Sequence, residues 1–347
     1  MSRRPKRPEL CIVVGAGGVG KTTFAAGLGV AYARDGRDVL VMTFDPSERL
    51  KDALGVGDAA RDASIRVPLE AEGTLEASLL DAKRTFDRIV ARYAPDEASR
   101  ERITNNRFYR ELRGSLAGIL EYMAVERLFE VAEEGRHDVV ILDTPPARQA
   151  MDFLGAPRRI ADFLDSGAIE IALKPWFDER GRFRAGERFG LLGRGLERLL
   201  DRLVGIGLLR ELAEFFHAFE PLYAGFRERA EKVEKLLRSP TTSFLLVTSP
   251  APERLPDAMM FARTLGEEGH RLRAVVANRV HPEVGARPGG PGRELVAWLG
   301  RRDRASIARL RALLPPELPL IEAALCDEPP LGFDDLEGLA RNVADAI

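Results

Sequence analysis

A doubly wound α/β fold, a mainly parallel sheet with helices on both faces, is what this sequence predicts. Three observations predict it. Short apolar runs recur: ELCIVVGAG, RDVLVMTFD, HDVVILDTP, TSFLLVTSP and LRAVVANRV, with ELPLIEAAL as a sixth. Helical patterns alternate with several of them, and such alternation builds parallel sheets covered on both faces. A glycine-rich turn also joins the first run to the first helix.

Taken in order, ELCIVV reads as a buried strand ending at Gly15. KTTFAAGLGVAYARDG has helical spacing and closes on Gly36, a stop signal. RDVLVMTFD and HDVVILDTP are strands that each end at an acid, Asp45 and Asp143. Residues 253–268 form a helix between the strands TSFLLVTSP and LRAVVANRV. Ligands of such sheets bind at the carboxyl ends of the strands. Gly15, Asp45, Asp143, Ser249 and Asn278 fall there or just beyond.

Two regions interrupt the alternation. Residues 60–135 read as largely helical and charged. Residues 157–238 read as a helical insert with a charged, glycine-rich middle, DERGRFRAGERFG. Two apolar stripes run along the insert. Leu196, Leu199, Leu200 and Leu203 make one; Leu208, Leu212, Phe215, Phe216 and Phe219 make the other. They pack on the sheet domain or line a groove for an apolar partner. The expected organisation is a basic disordered tail over 1–8, an α/β sheet domain over 9–156 and 239–347, and the insert between its parts. RPGGPGRE (287–294) reads as a loop.

Composition narrows the function classes. The chain has 347 residues, 45% hydrophobic and 31% charged, with a net charge of −2. That balance suits a globular protein and gives no basic excess for specific nucleic-acid binding. No run approaches the ~20 apolar residues of a membrane span. Two distant cysteines, Cys11 and Cys326, form neither a disulfide framework nor a CxxC clip, and a cytoplasmic location is expected. His137, His217, His270 and His281 are scattered without metal-ligand spacing.

The loop VVGAGGVGKTT satisfies two phosphate-binding patterns. Gly15, Gly17 and Gly20 fit the dinucleotide fingerprint; Gly15, Gly20, Lys21 and Thr22 fit the P-loop, G-x-x-x-x-G-K-[ST]. A dinucleotide loop has no use for the Lys-Thr pair, whereas a P-loop does. Backbone N–H groups from Gly17 through Val19 to Thr22 would form an anion nest at a helix N-terminus. Lys21 would reach the β- and γ-phosphates, and the Thr22 hydroxyl would ligate Mg²⁺. Gly15, Gly18 and Thr23 complete the nucleotide-binding set. Asp143 ends its strand at the Walker-B-type position, and Asp45 is a second strand-end acid. With Thr22 they are the Mg²⁺ candidates.

These motifs resemble the ArsA-type ATPases, a family that includes the arsenite-pump motor and the targeting ATPase for tail-anchored proteins. Residues 16–22, AGGVGKT, match the family loop K-G-G-x-G-K-[ST] except at the first position. MTFDPSERLKDALG resembles switch I and DTPPARQAMDFLGAP resembles switch II. VVANRVHP resembles the adenine-contacting segment, and CDEPPLGFDDLEGL the stretch lining the base. The resemblance implies an ATP- and Mg²⁺-dependent homodimer that closes on ATP and opens after hydrolysis. It implies that Asp45 orients or deprotonates the attacking water. It also implies that Asn278 reads the adenine amino edge, with Arg279 or Asp327 nearby.

Departures from the family bear on mechanism. The signature lysine, which reaches across the dimer, is Ala16. The zinc-binding CxxC is missing, so no zinc is expected, and no cysteine cluster exists for a metalloid. Arg148-Gln149 stands near the family's switch II histidine. Arg148, five residues past Asp143, is the expected replacement cation, with Arg34, Arg37 and Arg49 as further candidates. The leading reading is a dimeric ATPase switch that hands on a protein client, hydrophobic or tail-anchored, or meets a membrane-associated partner. Three others stay open: the motor of an anion or metalloid pump, a positioning ATPase of the MinD/ParA type, and a non-hydrolysing nucleotide sensor.

Overall fold

The computed structural model describes residues 7–43, 49–56, 63–107, 109–110, 119–145, 147–165, 219, 222–284, 290–330 and 332–347. The side chains of 119–121, 147–151 and 163–165 are also outside that description. The chain forms two compact units.

The first unit comprises Met1–Asp81, Arg127–Leu154 and Lys235–Ile347. Its centre is one eight-stranded sheet: β1 (Glu9–Val14), β2 (Asp38–Thr43), β3 (Ile65–Arg66), β4 (Thr74–Leu79), β5 (Val139–Asp143), β6 (Thr242–Thr248), β7 (Leu272–Val280) and β8 (Leu320–Ala324). The order across the sheet is β3-β4-β2-β5-β1-β6-β7-β8. Every pair is parallel except β3–β4. Successive residues of a strand face opposite sides. Leu10 to Val14 are all buried, so both faces of β1 are covered. The doubly wound sheet is therefore the fold, and all six expected runs are strands in it.

Two strands, β3 and β4, lie within 60–135 and were not anticipated. TLEASL offers no apolar run to mark it: Glu76 sits mid-strand, within 3.2 Å of the His137 ring, and only the register with β2 reveals the strand.

Helix α1 (Lys21–Arg34) follows β1 and is buried on nearly every side. Its small residues permit this. A Cβ on Gly27 would collide with the Leu336 carbonyl of the C-terminal helix, and one on Gly29 would meet Val41 at 2.5 Å. Gly36, at φ +82°, closes α1 as expected, with its N–H on the Ala33 carbonyl and the Arg37 N–H on that of Tyr32. Helix α2 (Arg49–Leu54) follows β2. Later in the chain come α3 (Ala82–Tyr93), α4 (Glu97–Asn105), α5 (Ile119–Glu134), α6 (Ala147–Asp165) and α7 (Tyr223–Leu237). Then follow α8 (Leu255–Glu267), α9 (Pro291–Leu313) and α10 (Phe333–Ala344). Helix α9 begins inside the stretch expected to be a loop, because Pro291 takes the first helical position, where its missing N–H costs nothing.

The second unit comprises Ala82–Glu126 and Gly155–Glu234. Aromatic packing dominates its core. Phe86 stacks on Tyr109 at 5.1 Å, and Phe219 lies 5.2 Å from Phe226. The guanidinium of Arg229 and the carboxylate of Glu126 are both buried and paired with each other. Of the two apolar stripes, only Phe219 lies among the described residues. No helix among those residues is long and apolar enough to cross a membrane.

Candidate functional site

Parallel register brings three strand ends to one edge. Val13 is level with Asp143, and Thr43 is level with Asp143 from the other side. The loop after β1, the end of β2 and the end of β5 are thus neighbours, although Thr22 and Asp143, which touch there, lie 121 positions apart.

Backbone geometry explains the glycines of the loop. Gly15, Gly18 and Gly20 have φ of +149°, +76° and +103°, where side chains are strained. At Gly15 a Cβ would run into the Val247 carbonyl of β6, and at Gly20 into the Asn278 amide. Gly17 and Gly18 form the exposed tip, with open space around Gly18. Gly20 caps α1, so the first N–H groups of that helix face the loop. The Lys21 ammonium reaches back and donates to the Ala16 carbonyl at 3.0 Å, so it stands over the loop. Lys21 is 7% exposed and Ala16 is 5% exposed.

Asp143 joins the loop to the sheet. Its Oδ2 accepts from the Thr22 hydroxyl at 2.7 Å and from the Thr43 hydroxyl at 3.1 Å. A hydroxyl and a carboxylate meeting beside an anion nest are hard oxygen donors, the set that Mg²⁺ takes when phosphates and water complete its shell. The residues present therefore fit Mg²⁺. Among the described residues no cluster of three His, Cys, Asp or Glu side chains forms a metal site independent of a ligand. Thr43 was not anticipated; its signal is a hydroxyl at a strand end two residues before Asp45.

Asn278 approaches the loop from β7. Its Nδ2 donates to the Val19 carbonyl at 2.8 Å, and its Oδ1 accepts the Arg279 N–H at 2.9 Å. Arg279 has φ +63°, a left-handed conformation that costs a non-glycine about 1–2 kcal/mol. It is the extra residue where the β7–β8 register shifts between Asn278 and Val280. Asp327 is exposed, three residues beyond the end of β8, on the same edge of the sheet.

Other expected site residues lie elsewhere. Asp45 is outside the described residues, as is the side chain of Arg148, whose backbone is in the first turn of α6. Arg34 and Arg37 are at the opposite edge. Arg34 ends α1, about 20 Å from the loop at 1.5 Å per residue. It pairs with Asp334 at 2.6 Å and with Glu337, and Arg37 pairs with Glu9 at 2.8 Å. Neither can stand in for a loop cation in the same chain. Arg49 is exposed at the start of α2, six residues past Thr43.

Comparison with known proteins agrees with this geometry. A family model described as an anion-transporting ATPase, ArsA_ATPase, matches residues 9–180. A protein of Aquifex aeolicus named for an arsenical pump-driving ATPase is 25% identical over 335 residues, 96% of this chain and 78% of its own length. This chain belongs to the ArsA-type ATPase family. An uncharacterized protein of Streptomyces coelicolor is 27% identical over 337 residues, covering 95% of this chain and 75% of its own. ATPase GET3 of Kluyveromyces lactis is 32% identical over 175 residues, covering 47% and 49%. Residues 9–180, matched by the family model, hold the loop, β2, β5 and α6. In this ArsA-type chain the position of the family's signature lysine is a buried alanine, whose carbonyl is occupied by Lys21.

Proposed function

We propose that this chain is a Mg²⁺-dependent ATPase that works as a nucleotide-driven homodimeric switch and handles a protein client with a hydrophobic or tail-anchored segment. One observation carries the ATPase reading: the Thr22 hydroxyl, the Asp143 carboxylate and the Lys21 ammonium converge at one glycine loop on a helix N-terminus. Phosphates would lie in the N–H nest, and Lys21 would exchange the Ala16 carbonyl for a phosphate oxygen. Thr22 and Asp143 would hold Mg²⁺, which neutralises phosphate charge. Asp45, two residues past Thr43, would orient or deprotonate the attacking water.

Arg148 would supply the cation that Ala16 cannot. Its place in the first turn after β5 supports that role, and such a charge is worth about 10³–10⁵ in rate where it operates. Arg148→Ala is expected to lower kcat steeply; an unchanged kcat assigns the role elsewhere, Arg49 first. The dimer reading is tested by light scattering during size exclusion. Mg²⁺ with a non-hydrolysable ATP analogue should double the particle mass or compact an existing dimer. A mass and radius indifferent to nucleotide would remove the switch.

The names of the Aquifex relative and of the family model favour a second reading, the motor of an anion or metalloid pump. Soft metalloids need thiolates. Cys11 is buried, and burial pushes its thiol up to about 12, so it stays protonated at neutral pH. Stimulation of ATP turnover by arsenite would revive that reading.

A further inference from the structure

The amide of Asn278 is held at both ends. The Val19 carbonyl requires a donor and the Arg279 N–H requires an acceptor, so oxygen and nitrogen cannot be exchanged. One N–H and one lone-pair site of the amide are left for a ligand. That pair matches the N6–H and N7 of adenine and mismatches the two acceptors of guanine. The orientation depends on the bulge at Arg279, the only non-glycine residue with positive φ among those described.

The bulge in turn is anchored from α9. Asp303 is fully buried. Its Oδ2 accepts from the His281 backbone N–H at 3.1 Å and lies 2.7 Å from the His281 Nδ1. Its Oδ1 accepts from Arg302 at 2.9 Å. Gly300, on the preceding turn, lets the Pro282 carbonyl come within 2.6 Å of where a Cβ would stand. Helix α9 therefore grips residues 281 and 282 through a buried charge and a close backbone approach.

We propose that Asp303 is a positioning residue: by holding His281 it sets the Arg279 bulge, and so fixes the Asn278 amide between the phosphate loop and the base. Adenine selection and the shape of the phosphate cradle then share one anchor that touches neither. This rests on the nucleotide-site reading above.

The test is calorimetric binding of Mg²⁺·ATP and Mg²⁺·GTP to the full chain. Asp303→Asn and His281→Ala should each reduce the ATP-to-GTP affinity ratio about tenfold, within the value of one bidentate amide–base pair. In an Asn278→Ala background, Asp303→Asn should change the ratio no further, because the two act in series. A purely structural role would lower thermal stability and leave the ratio alone. Folded Asp303→Asn and His281→Ala chains with the wild-type ratio would overturn the proposal. So would an Asp303→Asn effect of equal size with and without Asn278. Should Asp303→Asn fail to fold, His281→Ala, at a side chain 22% exposed, carries the same test, alone and combined with Asn278→Ala. A wild type that binds both nucleotides without turnover would end the hydrolysis reading and leave this test intact. One that binds neither would end both.

Discussion

Thr43 and Thr22 share one oxygen of Asp143, so removing either hydroxyl deletes one of these two bonds that orient that oxygen. Thr43→Val keeps the shape of a buried side chain and deletes that bond. It should raise the Mg²⁺ concentration needed for binding of a fluorescent ATP analogue about tenfold or more, the value of one hydrogen bond to a charged group. Thr43→Ser should restore the wild-type requirement. Magnesium titration of both variants checks this, and an unchanged requirement in Thr43→Val would separate Thr43 from the site. Lys21, Thr22 and Asp143 were legible in the sequence because a local pattern or a strand end marks each. Thr43 was half legible, since its neighbour Asp45 drew attention away from it. The His281–Asp303 pair was not legible: 22 residues separate its members, and each is an ordinary polar residue in isolation.

The helix that opens at the loop is held at its far end by α10. Arg34 pairs with Asp334 and Glu337, and Arg341 pairs with Asp35 at 2.9 Å. These partly exposed pairs add little; close packing at Gly27 does more. Gly27→Ala would push against the Leu336 backbone, which cannot step aside as a side chain can. It should lower stability by about 1–3 kcal/mol, read as a fall in the thermal midpoint. A second element-level test lies between α8 and β7, where His270 packs 5.0 Å from the Phe244 ring. Burial holds its imidazole below the ordinary histidine value, against weaker opposing effects of the Leu237 carbonyl and Glu268. The unfolded chain then binds the proton more tightly. The contribution is complete above about pH 6.5 and is lost as pH falls through the lowered value. His270→Phe should flatten the loss of stability between pH 7 and 5, measured by denaturant unfolding. Elements themselves were legible where apolar runs were long, as in β1, β5 and β6. Strand β4 was hidden because TLEASL mixes polar and apolar residues, and only pairing with β2 makes it a strand.

Across the whole molecule, a parallel sheet gathers the site by register. Strands β1, β2 and β5 bring the glycine loop, Thr43 and Asp143 together, and β7 brings Asn278 from the other side. That convergence could be anticipated from the alternation of strands and helices, because such sheets bind ligands at strand carboxyl ends. Strand order was not legible, since it depends on which edges pair in space. The family relationship adds the expectation of nucleotide turnover, and the geometry says which side chains it would need. The most direct measurement is steady-state ATP hydrolysis by the full chain, with and without Mg²⁺, beside Lys21→Ala and Asp143→Asn. The predicted result is turnover only with Mg²⁺ and a loss of about 10²-fold or more in each variant, the scale of removing one charge-stabilising group. Turnover that survives in both variants, or that ignores Mg²⁺, would contradict the assignment of this loop as the catalytic site.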